Sequence, residues 1–160
     1  NTNMAAAGGV LAALFMSLIM TGKMDVTMAI NGAIAGLVSI TADPLSPAGG
    51  TAVIVGAIGG AIVYASIVFL EKAGVDDPVG AISAHGTVGI YGVLVVSLTG
   101  GASFMGQLTG VVMIAAFTYL TSLATIYVIN MIMPIRASDA EQEAGLDISE
   151  VGIEAYPEFK

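Results

Sequence analysis

From residue 79 to residue 135 the sequence contains no Asp, Glu, Lys or Arg, and this charge-free run is what most constrains the fold. A soluble domain carries about 25% charged residues. This chain carries 10%, with 56% hydrophobic residues and a mean hydropathy of +0.93. Because a soluble protein of this size needs a charged surface, the composition predicts that lipid surrounds most of the chain.

Polar breaks divide the apolar sequence into segments of the length that crosses a bilayer, which is about 20 residues for a helix. The long charge-free run exceeds one span, and the Gly- and Ser-containing stretch at 99–103 is its natural break. Outer-membrane strands alternate apolar and polar residues, and these segments do not. We therefore predict an all-α polytopic transmembrane bundle with five spans, at about 4–20, 26–42, 50–70, 79–99 and 104–133.

The acidic residues are concentrated after the last apolar segment. Seven of the twelve Asp and Glu residues follow residue 138, so the net charge of −8 is a property of the tail. We predict a transmembrane bundle over 1–135 and an acidic tail over 136–160. Ser138 and Glu141 have the spacing of a capping box, which predicts that the tail begins with a short helix.

The basic residues predict the orientation. With five spans, Lys23, Lys72, Arg136 and Lys160 all fall on one side of the membrane. The positive-inside rule makes that side cytoplasmic, so we expect a multi-pass protein of the cell membrane with a cytoplasmic C-terminus. No basic segment precedes the first apolar run, which predicts no signal peptide, and the start at Asn1 is typical of a fragment or a processed chain.

Glycines recur at close spacing in the predicted spans. Small residues allow helices in lipid to approach closely, so these patterns predict a tight bundle, with packing as the main role of the glycines. The second, third and fifth spans contain GxxxG pairs, and the fourth has a glycine at every third position: Gly32 and Gly36, Gly56 and Gly60, Gly106 and Gly110, and Gly86, Gly89 and Gly92.

The single histidine, His85, lies in the fourth predicted span. An ionisable group at that depth is costly and usually faces the bundle interior or a cavity. Two interpretations stay open on this ground alone, a histidine hydrogen-bonded to a neighbouring helix and a group on a solute path. Asp77 followed by Pro78 is typical of a helix N-terminus, so Asp76 and Asp77 are interpreted as capping this span and not as a metal site.

The remaining sequence argues against several functional classes. It contains no cysteine, no nucleophile–base pair and no intramembrane carboxylate that could serve an ion-coupled relay. Ser83 is two residues from His85, so on a helix the two side chains point in different directions. We therefore predict neither an enzyme nor a pump, no cofactor or metal, and no nucleic-acid binding, which leaves a passive or weakly coupled path for a small solute.

Four blocks of sequence occur in an informative order: NTNMAAAG at 1–8, NGAIAGLVSIT at 31–41, VDDPVGAISAHGTVG at 75–89 and EAGLDISEVGIEAY at 143–156. Together they resemble the ammonium transporter (Amt/Mep/Rh) family, over essentially the whole chain. The resemblance implies an eleven-helix fold built on an inverted repeat and assembled as a homotrimer, of which this chain would supply helices seven to eleven.

The resemblance also implies site residues. His85 matches the second of the family's paired pore histidines, and Ile34 and Thr41 match pore-lining positions. Two positions depart from the pattern, because Gly80 stands where some members have an acid and Val151 where many have a histidine. The matched tail residues imply a regulatory surface for a PII-type signal protein: Gly145, Leu146, Asp147 and Tyr156.

The function implied by the resemblance is ammonium transport through a narrow apolar pore. A bare ammonium ion in such a lumen is very costly, whereas a neutral imidazole can both accept and donate a hydrogen bond. We therefore expect His85 to hold ammonia in the pore. The alternatives are an ammonium sensor or regulatory membrane module, an Rh-like channel for another neutral gas such as carbon dioxide, and a fragment without activity of its own.

Overall fold

The computed structural model describes residues 1–154 and 157–158, and all regular secondary structure in that part of the chain is helical. Two compact units, Asn1–Met113 and Ile114–Lys160, divide the chain. The helices are α1 (Thr2–Thr21), α2 (Val26–Ile40), α3 (Gly49–Lys72), α4 (Val88–Thr99), α5 (Phe104–Ile132) and α6 (Asp139–Ala144), and π-helical turns occupy Ile82–Thr87 and Asp147–Val151.

Each of the five apolar segments of the sequence contains a helix, and in the fourth the π-helical turn Ile82–Thr87 precedes α4. The all-α prediction is confirmed for the described residues. Among the described residues, four apolar helices are long enough to cross a membrane: α1, α3, α5 and the continuous segment Ile82–Thr99. Helix α2 has 15 residues. At 1.5 Å per residue it is about 22 Å long, shorter than a hydrocarbon core of about 30 Å. The membrane crossing by α2 and the boundary at residue 135 stay predictions.

Capping chemistry explains the turn between α1 and α2. Gly22 ends α1 with a φ of 74°, in the left-handed region that glycine adopts without a Cβ clash. Asp25 then caps α2, since its Oδ1 accepts the N–H of Thr27 at 2.7 Å and that of Met28 at 3.2 Å. The hydrogen bond from the Thr27 hydroxyl and those from the two N–H groups hold the pKa of Asp25 below its ordinary value.

Helices α1, α2 and α3 pack directly backbone to backbone. A Cβ on Gly36 or on Gly56 would overlap the carbonyl oxygen of Ala5, and a Cβ on Gly60 would overlap that of Gly9. The prediction of tight glycine packing is therefore confirmed for the second and third segments. The glycines of these helices that lie against a neighbouring helix backbone are Gly8, Gly9, Gly32, Gly36, Gly56, Gly59 and Gly60.

The glycines further along the chain do not all have this role. A Cβ on Gly92 would lie 2.9 Å from the carbonyl oxygen of Val38, so α4 approaches α2 closely at that point. Gly86 and Gly89 have only contacts of 3.8 and 3.9 Å, and Gly110 has no atom within 4 Å. Of the three regularly spaced glycines in the fourth segment, Gly92 is the one that packs tightly.

A small apolar cluster joins α2, α3, α4 and the first π-helical turn. Its fully buried members are small or β-branched, which lets four helical segments meet in a small volume. The buried residues are Ala35, Val63, Ala84 and Val88. Larger, partly buried side chains surround them: Ile34, Val38, Ile62, Ile67 and Tyr91. This cluster fixes the position of the turn that carries His85.

In the second unit, a capping box starts the tail helix α6. The N–H of Ser138 donates to the Glu141 carboxylate at 2.7 Å, and the N–H of Glu141 donates to the Ser138 hydroxyl at 3.4 Å. The prediction of a short helix at the start of the tail is confirmed. The hydrogen bonds from the Ser138 hydroxyl and N–H hold the pKa of Glu141 below its ordinary value.

Candidate functional site around the first π-helical turn

Asp77 holds the start of the segment that carries His85. Its Oδ1 accepts the N–H of Ile82 at 2.9 Å. Its Oδ2 accepts both the N–H and the hydroxyl of Ser83, at 3.1 and 3.0 Å. Partial burial opposes ionisation of this carboxyl, but the hydrogen bonds from Ile82 and Ser83 outweigh it and lower the pKa of Asp77. The arrangement satisfies N–H groups that have no helical partner.

Gly80 stands at the bend between Asp77 and the helical segment. Its φ is 73°, and an added Cβ would lie 2.8 Å from the Asn31 Oδ1. A side chain here would meet both backbone strain and the Asn31 amide. The structure thus explains why glycine suits this position, where the resemblance places an acid in some members.

His85 lies in the π-helical turn Ile82–Thr87. Such turns are rare, carry i→i+5 hydrogen bonds and occur frequently at functional sites. The neighbours Ser83 and Ala84 are buried, whereas His85 is exposed. The turn therefore places the imidazole on the outside of the packed first unit, available to whatever lies beside that face.

Two contacts tie this segment to α3. The Ser66 Oγ lies 3.0 Å from the Thr87 Oγ1, so the two hydroxyls share a hydrogen bond. The Tyr91 hydroxyl donates to the carbonyl of Val55 at 3.2 Å. None of these side chains is among the site residues predicted from the sequence. A signal was present in Ser66 and Thr87, because polar side chains within apolar helices need a partner.

The two other residues matched to pore-lining positions have different surroundings. Ile34 is partly buried and packs against the buried cluster that includes Ala84, the residue before His85. Thr41 follows the end of α2, is exposed, and donates its hydroxyl to the carbonyl of Leu37 at 2.7 Å. The structure thus brings Ile34 to the same cluster as the π-helical turn and places Thr41 at the end of its helix.

Asp76 and Asp77 border a cavity of about 440 Å³ beside the end of α3. Asp76 is exposed, and Glu71 also lines the cavity. Within residues 1–154 and 157–158, no three His, Cys, Asp or Glu side chains are grouped as metal ligands.

The matched tail residues lie in the second unit. Gly145 has a φ of 92°, and its carbonyl accepts the N–H of Ser149 at 3.1 Å. Leu146 is exposed, and Asp147 begins the second π-helical turn, where its carbonyl accepts the N–H of Ile153 at 3.2 Å. Tyr156, the fourth matched residue, lies outside the described residues.

Comparisons with known proteins identify the family. The family model described as the Ammonium Transporter Family matches residues 1–156. The chain is 34% identical to ammonium transporter Amt2 of Archaeoglobus fulgidus, over 99% of this chain and 38% of that protein. It is 37% identical to ammonium transporter Amt2 of Methanocaldococcus jannaschii, over 98% of this chain and 38% of that protein.

A solved structure agrees in fold. The protein titled Sensor Amt Protein superposes with a TM-score of 0.86 at 26% identity, over 93% of this chain and 40% of that chain. The present chain thus spans about two fifths of the length of the proteins it matches. With the family model covering nearly all of its residues, the chain belongs to the ammonium transporter family.

Proposed function

We propose that this chain forms part of a membrane protein that moves ammonium across the bilayer. The observation that carries the proposal is the family match over residues 1–156, which includes the segment with the single histidine. The exposed position of His85 on an otherwise apolar helical bundle agrees with a role towards a solute.

His85 is the residue we propose to act on that solute. Within an apolar path, ammonia needs fewer polar partners than ammonium, whose charge is very costly to desolvate. A neutral imidazole offers one acceptor and one donor nitrogen, so it can hold ammonia and pass a proton to a second polar group. Ile34 and Thr41 are proposed to line the path, and Asp77 to hold the start of the helix that presents the imidazole.

The test is the replacement His85→Ala in the complete protein, with methylammonium uptake and the accompanying current both measured. We expect uptake to fall at least about tenfold, because a well-placed hydrogen-bonding group in a dry site contributes on the order of 1.4 kcal/mol or more. His85→Gln, which keeps one donor and one acceptor, should lose less. Uptake and current equal to those of the parent protein would contradict the proposed role.

The setting of this activity is also a proposal. Three of the four basic residues, Lys23, Lys72 and Arg136, adjoin the helix ends that the five-span arrangement puts on one side. Positive charge near span ends favours the cytoplasmic side. We therefore propose a cell-membrane location with a cytoplasmic tail, a homotrimeric assembly, and a tail surface that receives a PII-type signal protein.

A second candidate is ammonium sensing. It is favoured by one observation, the close superposition on a protein titled Sensor Amt Protein. Growth of a transport-deficient host on limiting ammonium separates the two functions, because only a transporter restores growth. Binding of ammonium without restored growth or methylammonium uptake would favour the sensor.

A further inference from the structure

Ser66 and Thr87 form the one hydrogen bond between side chains of different helices that the first unit, residues 1–113, contains. Several serine hydroxyls in these apolar helices instead bond to a backbone carbonyl of their own helix. Ser39 donates to the carbonyl of Ala35, and Ser97 to that of Leu94. Bonding within the helix is the usual choice for such hydroxyls, so the pair across helices calls for a separate explanation.

The pair lies at the end of the π-helical turn, and His85 lies between it and a second anchor. At the start of the turn, Asp77 binds the N–H and hydroxyl of Ser83. At its end, Ser66 of α3 binds the hydroxyl of Thr87. Both anchors are two residues from His85. The turn is therefore held at each side of the histidine by a side-chain hydrogen bond.

The register of this turn decides where the imidazole points. Hydrogen bonds in a π-helical turn join residues five apart, whereas those of an α-helix join residues four apart. One residue of an α-helix corresponds to a rotation of about 100°. Ala84 and Val88 are both buried in the cluster shared with α2 and α3. If the turn relaxed to α-helical register while Val88 stayed packed, the residues before it would rotate and His85 would face another direction.

Loss of the Ser66 hydroxyl would favour that relaxation. Without its partner, the Thr87 hydroxyl would be left to bond to the carbonyl of Ser83, four residues before it, which is the arrangement typical of an α-helix. In the structure the N–H of Val88 donates to the carbonyls of both Ser83, five residues earlier, and His85, three residues earlier. The hydrogen bond between Ser66 and Thr87 thus ties the end of the longer turn to α3.

We propose that Ser66 is a positioning residue for His85. Ser66 acts through Thr87 to hold the π-helical turn in the register that exposes the imidazole. The effect on ammonium movement rests on the function proposed above, whereas the orientation of His85 does not depend on that function. No other contact in the first unit links a side chain of α3 to a side chain of this turn by a hydrogen bond.

The experiment uses the complete protein in lipid, with Ser66→Ala, Thr87→Val and the double variant. Ser66→Thr keeps a hydroxyl and should restore the parent behaviour. Ser97→Ala is the matched control, because its hydroxyl bonds only within its own helix. Two quantities are measured: the ¹⁵N resonances of the His85 imidazole, assigned by their loss in His85→Gln, and the uptake of methylammonium.

We expect Ser66→Ala and Thr87→Val to change the imidazole resonances in the same way and to lower uptake about threefold to tenfold, the size of one hydrogen bond between helices in lipid. The double variant should be no worse than the worse single variant. Unchanged imidazole resonances in both single variants, or uptake losses that multiply in the double variant, would overturn the proposal. If the resonances change in the variants but the parent protein itself takes up no methylammonium, the positioning role is upheld and the transport function is contradicted.

Discussion

At the scale of single residues, Asp77 has a larger structural role than its neighbour Asp76. Both oxygens of Asp77 accept hydrogen bonds from the segment that carries His85. Asp76 is exposed and makes no comparable contact within the described chain. Two adjacent aspartates thus have different roles, because only one of them lies in line with the free N–H groups of the helical segment.

Replacing Asp77 by Asn should destabilise the complete protein by about 1 kcal/mol, because an amide keeps only one acceptor oxygen and points N–H groups at other donors. The measurement is thermal unfolding in detergent, with Asp76→Asn as the control, for which we expect no change.

Because the pKa of Asp77 is lowered in the folded protein, the contribution of its carboxylate to stability is complete above the ordinary pKa of 3.8. That contribution is lost as the pH falls through the lowered pKa. Below pH 3.8 the parent protein should therefore lose more stability than the Asp77→Asn variant. Equal losses of stability in the two proteins would contradict this account.

Gly80 offers a second residue-scale test. Its φ of 73° is matched by that of Gly74, but only Gly80 lies against another side chain, that of Asn31. Gly74→Ala should therefore cost about 1–2 kcal/mol from left-handed backbone alone, and Gly80→Ala clearly more. Unfolding measurements on the two variants isolate the contribution of the Asn31 contact. Equal losses would show that this contact is unimportant.

At the scale of helices, the packing of α1, α2 and α3 depends on the absence of side chains. Apolar side chains give helices in lipid no net drive to associate, so association depends on close backbone approach. Gly36 and Gly56 both lie against the carbonyl of Ala5, which brings three helices together at one point of α1. Substitution at that point should disturb two helix pairs at once.

Gly36→Ala should destabilise the protein by roughly 1–3 kcal/mol, because the added methyl group overlaps backbone that cannot move freely. Gly50→Ala is the matched control, since Gly50 lies in α3 with no atom within 4 Å of an added Cβ. That control should be neutral or slightly stabilising, as alanine favours a helix by up to about 1 kcal/mol over glycine. The measurement is thermal unfolding in detergent, and equal behaviour of the two variants would contradict the packing account.

At the scale of the whole molecule, the segments that connect the apolar helices differ in their basic residues. Lys23 follows α1 and Lys72 ends α3, whereas the connections after α2 and α4 carry no basic residue. This asymmetry predicts that the segments after α1 and α3 are cytoplasmic.

Single cysteines in a cysteine-free form of the complete protein test this orientation. Ser46→Cys and Ser103→Cys should react with a membrane-impermeant maleimide in intact cells. Lys23→Cys and Lys72→Cys should react only after the membrane is opened. All four positions are exposed in the structure, so reactivity reports the side of the membrane and not burial. Labelling of Lys23→Cys in intact cells would contradict the predicted orientation.

Local features of this molecule follow closely from its sequence. The apolar segments predict the positions of α1 to α5, and the capping box at Ser138 predicts the start of α6, because each depends on residues close together in the chain. The family resemblance is confirmed for the same reason, since short motifs in order identify relatives without knowledge of contacts. The pore-lining role of His85 stays a prediction.

The sequence by itself therefore determined that this chain is a set of apolar helices with defined turns and an acidic tail. Tertiary structure alone decided which glycines pack, for example Gly92 and not Gly86, since that depends on which helix lies opposite. It also decided that Thr87 bonds to Ser66 and that His85 lies in an exposed π-helical turn. The physical reason is that the energies of alternative helix registers differ little locally, so contacts with α2 and α3 select between them.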